Sequence, residues 1–108
     1  KGGAAALEAL LKGELDALTA PSFKEEIESL LAAHELKVVL DFAEVRLIDN
    51  AGVEAIVELW KRTHSQLGNA KIARLVEQPR AILHLLRLDR KLFEIFDTVD
   101  AAVESYGA

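Results

Sequence analysis

Between Ser22 and Glu35 the positions Phe23, Ile27, Leu30, Leu31 and His34 recur at steps of four, three, one and three, while Lys24, Glu25, Glu26 and Glu28 fall elsewhere. That spacing predicts an amphipathic helix. Thr19 or Ser22 is placed to cap it, and Pro21 falls in or just before its first turn, where a missing N–H costs little. A second helical stripe, Val53, Ile56, Val57, Trp60 and Leu67, follows Ile48-Asp49-Asn50-Ala51-Gly52. Gly68-Asn69 is expected to end that helix with a left-handed cap. Pro79 opens a short helix carrying Ile82, Leu85 and Leu86, and Thr98 caps a terminal one with Val99, Ala102, Val103 and Tyr106 inward.

Lys37 to Phe42 is apolar on both faces through its centre, as a sheet strand covered by helices should be. Ala43 to Leu47 then reads as a turn region, Lys71 to Val76 as a second strand, and Phe93 to Phe96 as a short last one. Ala4 to Lys12 is ambiguous, because Ala and Leu favour helix while the alternation of Leu7, Ala9 and Leu11 with Glu8 and Lys12 suits a strand. Gly13 is expected to break either. Strands alternating with helices imply an α/β sandwich with a largely parallel or mixed sheet. Phe23, Ile27, Leu40, Val57, Trp60 and Leu85 are expected in its core.

The 108 residues suit one domain, 1–108, with residues 1–6 fraying, and 51% hydrophobic content suffices for a core. No apolar run approaches the roughly 20 residues needed to span a bilayer, and the start lacks the pattern of a secretory signal. The absence of cysteine removes disulfide and thiol chemistry and fits a cytoplasmic setting. With 13 basic against 18 acidic residues, a net charge of −5 and six aromatics, the chain is a poor partner for nucleic acid.

His34, His64 and His84 fall on three different predicted helices without metal-ligand spacing, so no metal site is expected. No serine has a nucleophile-elbow context and no glycine-rich phosphate loop occurs, so neither catalytic residues nor a cofactor are expected. Glu25, Glu26 and Glu28 read as a solvated helix face and Trp60 as core. Two loops stand out: Gly13 to Pro21, and Ile48 to Gly52. In an α/β sheet such loops gather at the carboxyl edge, where ligands and partners bind. The plainer reading is that Asp16 and Asn50 only set turns or cap helices.

Gly-Glu-Leu-Asp at 13–16 with Ala20-Pro21, Val-Val-Leu-Asp at 38–41, Ile-Asp-Asn-Ala-Gly at 48–52 and Leu-Phe-Glu-Ile-Phe at 92–96 together resemble the STAS family, the sulphate-transporter and anti-sigma-factor-antagonist domains. The resemblance runs from about Leu7 to Ser105. It implies a STAS-like mixed sheet of four to five strands with about four helices, no enzymatic activity, and bacterial signalling or transcription control by docking to a protein. The implied docking residues are Asp16, Thr19, Asp49, Asn50, Ala51 and Gly52.

In phosphorylated members the loop reads Asp-Ser-Ser-Gly or Asp-Ser-Thr-Gly, and the hydroxyl before the glycine accepts phosphate from a partner kinase that is also the anti-sigma factor. Here that position is Ala51, so the resemblance implies a binding module without the usual switch. Only twelve residues precede Gly13, so the family's first strand is expected to be short or absent. Asn50-Ala51-Gly52 also resembles the Asp-Thr-Ala-Gly loop of STAS subunits on bacterial lipid-transport ATPases, which keeps a transporter ATPase as the alternative partner. The tail through Phe93, Phe96, Val99 and Val103 is closer to the anti-sigma antagonists. Self-association is left open.

Overall fold

Strands and helices alternate through residues 7–33 and 37–107, the part of the chain that the computed structural model describes. Their order is β1 (Leu7–Leu15), α1 (Ala20–Ala32), β2 (Lys37–Ile48), α2 (Asn50–His64), β3 (Asn69–Ala73), α3 (Glu77–Leu85), α4 (Leu88–Lys91), β4 (Ile95–Phe96) and α5 (Val99–Gly107). The sheet order is β1-β2-β3-β4. The sheet, expected as largely parallel or mixed, is parallel at every described pairing, since each strand returns to the sheet through a helix. The expectation of a short or missing first family strand concerns the twelve residues before Gly13, of which those from Leu7 on form β1; residues 1–6, and His34 within 34–36, lie outside the described residues.

β1 resolves the ambiguous first segment as strand, and it continues through Gly13 instead of ending there. Gly13 takes φ +77, at a register shift between Gly13 and Glu14, so the glycine bends the strand without stopping it. β2 likewise runs straight through the expected turn at Ala43–Leu47. Two register shifts against β1 each place an extra residue in β2, between the pairs Leu10↔Asp41 and Lys12↔Glu44 and between Gly13↔Val45 and Glu14↔Leu47. Phe42, Val45 and Ile48 therefore all enter the core at a spacing of three.

The larger core joins Phe23, Ile27 and Leu31 of α1, Ala55, Ile56 and Leu59 of α2, and Leu83 of α3 to Val38, Leu40 and Phe42 of the sheet. A smaller core on Val39 and Ala73 receives α5 through Ala102, with Val99, Val103 and Tyr106 packed around it. Thr98 caps α5 as expected, its Oγ1 accepting the Ala101 N–H at 3.0 Å. Polar contacts fasten the same helix: Tyr106 Oη donates to the Val38 carbonyl at 2.8 Å, and Lys71 Nζ lies 2.7 Å from Ser105 Oγ and 4.1 Å from the Tyr106 ring centre. Burial pushes the Tyr106 hydroxyl far above the ordinary phenol range.

Further expectations are corrected. The second strand stops at Ala73, short of Val76, because Arg74 turns left-handed at φ 62 and its guanidinium clasps Asp41 through both carboxylate oxygens, at 3.0 and 2.6 Å. The left-handed residue after α2 is Leu67, at φ 67, ahead of Gly68, while Asn69 already begins β3. Leu83, not Leu85, is the fully buried leucine of α3: Leu85 is 75% exposed, one residue out of phase with the inward stripe. Val57 and Trp60 pack against the core only in part, and Trp60 stacks on His64 with ring centres 4.5 Å apart.

Candidate functional site

Parallel pairing brings the ends of β1 and β2 level, with Leu15 opposite Ile48. The loops that follow are thereby set side by side. Asp49 N–H donates to the Leu15 carbonyl at 3.2 Å, which locks the start of α2 to the end of β1. Gly52 makes this approach feasible, because a Cβ there would lie 2.2 Å from the Leu15 carbonyl oxygen and 2.8 Å from Ile48 Cγ1. Asp16, Thr19, Asp49, Asn50, Ala51 and Gly52 are thus drawn from two loops onto one edge.

Each loop is shaped by its own aspartate. Asp16 Oδ1 accepts the backbone N–H groups of Leu18 and Thr19 at 3.0 and 3.1 Å, closing an Asx turn. Thr19 holds the N-cap position of α1, yet its side chain makes no capping bond. Its Oγ1 instead accepts the Asp16 N–H at 2.9 Å and donates to the Glu14 carbonyl at 2.8 Å, tying the loop to β1. The Thr19 N–H foremost, with the other loop donors, holds the Asp16 carboxyl below its usual range. The plainer reading of Asp16 as a turn-setting residue therefore holds.

At the second loop the cap is Asp49, whose Oδ1 accepts the Gly52 N–H at 3.0 Å, while Asn50 is already the first residue of α2. The capping role allowed for Asn50 thus belongs to its neighbour, and the Asn50 side chain stays exposed. Ala51, half-buried, sets its methyl against the core margin.

Two contributors escaped the sequence reading. Leu18, at the tip of the first loop, is 88% exposed, an apolar side chain standing free in a polar turn. Gln78, on α3, donates its amide to the Ile48 carbonyl at 3.2 Å and accepts the Ile48 N–H at 2.9 Å. It thereby stands in for a neighbouring strand where β2 outruns β3, whose pairing with β2 ends at Asp41. A lone apolar residue between turn formers was a signal for Leu18; nothing local marked Gln78.

Among the described residues no group of three or more His, Asp or Glu side chains is placed to hold a metal ion, and no helix is long and apolar enough to cross a membrane. His64 and His84 lie on different elements, the latter with Nδ1 3.0 Å from Asp89. The edge offers a capped helix N-terminus, an exposed leucine and a methyl group, which are means of contact with another surface.

The family model of the STAS domain matches residues 8–102. Among solved structures, a candidate anti-sigma factor antagonist from Thermotoga maritima is 27% identical, with a TM-score of 0.84 over 92% of this chain and 86% of that one. An anti-sigma factor antagonist from Mycobacterium paratuberculosis is 21% identical at TM-score 0.82, covering 92% and 83% of the two chains. A sulfate transporter family protein from Wolinella succinogenes, 16% identical, superposes at TM-score 0.75 over 94% and 84%.

Proposed function

Because the chain belongs to the STAS domain family, we propose that it is a non-enzymatic regulatory module of the anti-sigma-factor-antagonist type, acting in the bacterial cytoplasm by holding an anti-sigma factor with an ATPase-like kinase fold. The observation that carries this reading is the locking of Asp49 N–H to the Leu15 carbonyl at 3.2 Å, which joins the two loops into one edge. Similarity at 27% identity to an antagonist candidate supports the partner class.

Ala51 gives the proposed edge its character. A phosphate at this position would add about −1.5 to −2 charges at the contact surface. A methyl group cannot accept one, so binding is permanent and is set by the abundance of the two proteins. Thr19, the hydroxyl in the other loop, is engaged with Asp16 and Glu14, which supports a structural role for it.

The test is titration calorimetry against candidate anti-sigma factors of ATPase-like kinase fold from the same organism. Wild type should bind, and Leu18→Lys should weaken binding at least tenfold without changing the melting temperature, because an exposed anchor is lost and no internal bond is touched. Unchanged affinity in Leu18→Lys and Asn50→Lys alike would remove the edge from the interface. The similarity of Asn50-Ala51-Gly52 to the loop of transporter-associated STAS subunits supports a second reading, docking on a lipid-transporter ATPase. Binding to that ATPase and not to the anti-sigma factor would favour it.

A further inference from the structure

The corner joining α3 to α4 has a composition unlike the rest of the chain. Within residues 80–91, Arg80, Arg87, Arg90 and Lys91 stand against the single carboxylate of Asp89, in a protein of net charge −5. Leu85 and Leu86 project from the same corner, 75% and 48% exposed. His84, Leu85, Arg87 and Arg90 line a shallow cleft of about 390 Å³ there.

The corner is closed by backbone hydrogen bonds. Leu86 N–H donates to the Ile82 carbonyl and Arg87 N–H to that of His84, both at 3.0 Å, and the Arg87 carbonyl accepts the Lys91 N–H at 3.0 Å. Arg87 sits at φ 63, a left-handed conformation that disfavours a long side chain. Asp89, the one acidic group in the segment, lies with Oδ2 3.0 Å from His84 Nδ1 and lines the neighbouring cleft with Glu77 and Arg80, whereas Arg87 and Arg90 line the cleft beside Leu85. α3 follows the carboxyl end of β3 and the chain must return before β4 runs parallel to β3, so this corner lies away from the edge formed by Asp16 and Asp49.

We infer that this corner is a peripheral docking surface for an anionic lipid bilayer. Two exposed leucines on one short segment, with Leu85 sharing a cleft with Arg87 and Arg90, match the two demands of a headgroup layer: apolar side chains to enter the acyl boundary and cations to meet lipid phosphates. An acidic protein surface would answer the charges but leave the leucines without a counterpart. The membrane would then hold the domain by one end while the opposite edge stays open.

The test is co-sedimentation of the full chain with vesicles of phosphatidylcholine alone and of phosphatidylcholine mixed with phosphatidylglycerol, at low and high salt. Wild type should sediment with the anionic vesicles only, and less at high salt. Arg87→Asn/Arg90→Gln should lower the affinity about fivefold for each cation removed, the asparagine keeping the left-handed position accessible. Leu85→Ser/Leu86→Ser should also weaken it. Lys24→Gln/Arg46→Gln, which removes the same charge elsewhere, should leave it unchanged, and matched melting curves should show every variant folded. Equal sedimentation with neutral vesicles, unaltered binding in either corner variant, or an equal loss in the distal pair would overturn the inference. So would capture of poly-glutamate by the corner in a protein that leaves the anionic vesicles unbound.

Discussion

At Gly52 a helix start and a strand end meet with no room for a side chain. A methyl group there would overlap the Leu15 carbonyl at 2.2 Å, and backbone, unlike a flexible side chain, yields little. Gly52→Ala should therefore cost about 1–3 kcal/mol, the range for forced overpacking, read from urea denaturation. Its loss of binding would report a displaced helix, so Gly52 is a poor probe of contact. Asp16 is no cleaner, because lysine there would open the turn that its carboxylate closes over Leu18 and Thr19. Leu18, exposed and without an internal role for its side chain, separates contact from folding. Asp41 gives a prediction in pH. The bonds from Arg74 chiefly, and then the Ala43 N–H, hold its carboxyl below the usual 3.8 against the opposing effect of burial. A lowered folded pKa stabilises the fold fully above the unfolded value and loses that contribution as pH falls through the folded one. Asp41→Asn should thus be less stable than wild type at neutral pH, and the gap should narrow below about pH 4 in denaturation curves taken across that range.

On α3, two leucines two residues apart have opposite fates. Leu83 is fully buried and Leu85 is 75% exposed. Leu83→Ala should cost about 2–5 kcal/mol, whereas Leu85→Ser should change stability by less than about 0.5 kcal/mol. Gln78→Ala should destabilise by about 1–3 kcal/mol, since it strands the Ile48 N–H and carbonyl at the end of β2. Hydrogen exchange at Ile48 should quicken in that variant. The phase of long amphipathic stripes was legible: Phe23, Ile27 and Leu31 face inward as the steps of α1 require. In α3 the short run of Ile and Leu after Pro79 gives few turns to fix a phase, and the stripe Ile82, Leu85 and Leu86 read from it misses Leu83, the leucine that is buried. β2 was misread for a different reason. Its bulges replace the alternation of a flat strand with a spacing of three at Phe42, Val45 and Ile48, which imitates a turn to any reading by period two. Gly13 hid in the same way, because one left-handed residue both ends strands and bends them.

Across the whole molecule, α1 to α3 close one face of the sheet, α5 closes part of the other, and the loops after β1 and β2 share one end. The gathering of the two loops was legible, since parallel pairing follows from alternating strands and helices and sends both loops to one edge. The bonds that make the edge rigid were not, since Gln78 lies 30 residues from its partner. Mutual dependence of the layers predicts one cooperative thermal transition with coincident far- and near-ultraviolet dichroism. The central claim is that this edge holds a protein partner through a surface whose switch position is a methyl group. Its most direct measurement is intact mass and partner affinity for wild type and Ala51→Ser after incubation with the cognate kinase and ATP. Wild type should gain no phosphate and keep its affinity; Ala51→Ser should gain one and release the partner. Stoichiometric phosphorylation of wild type with loss of binding, or a phosphorylated Ala51→Ser that binds undiminished, would contradict the claim.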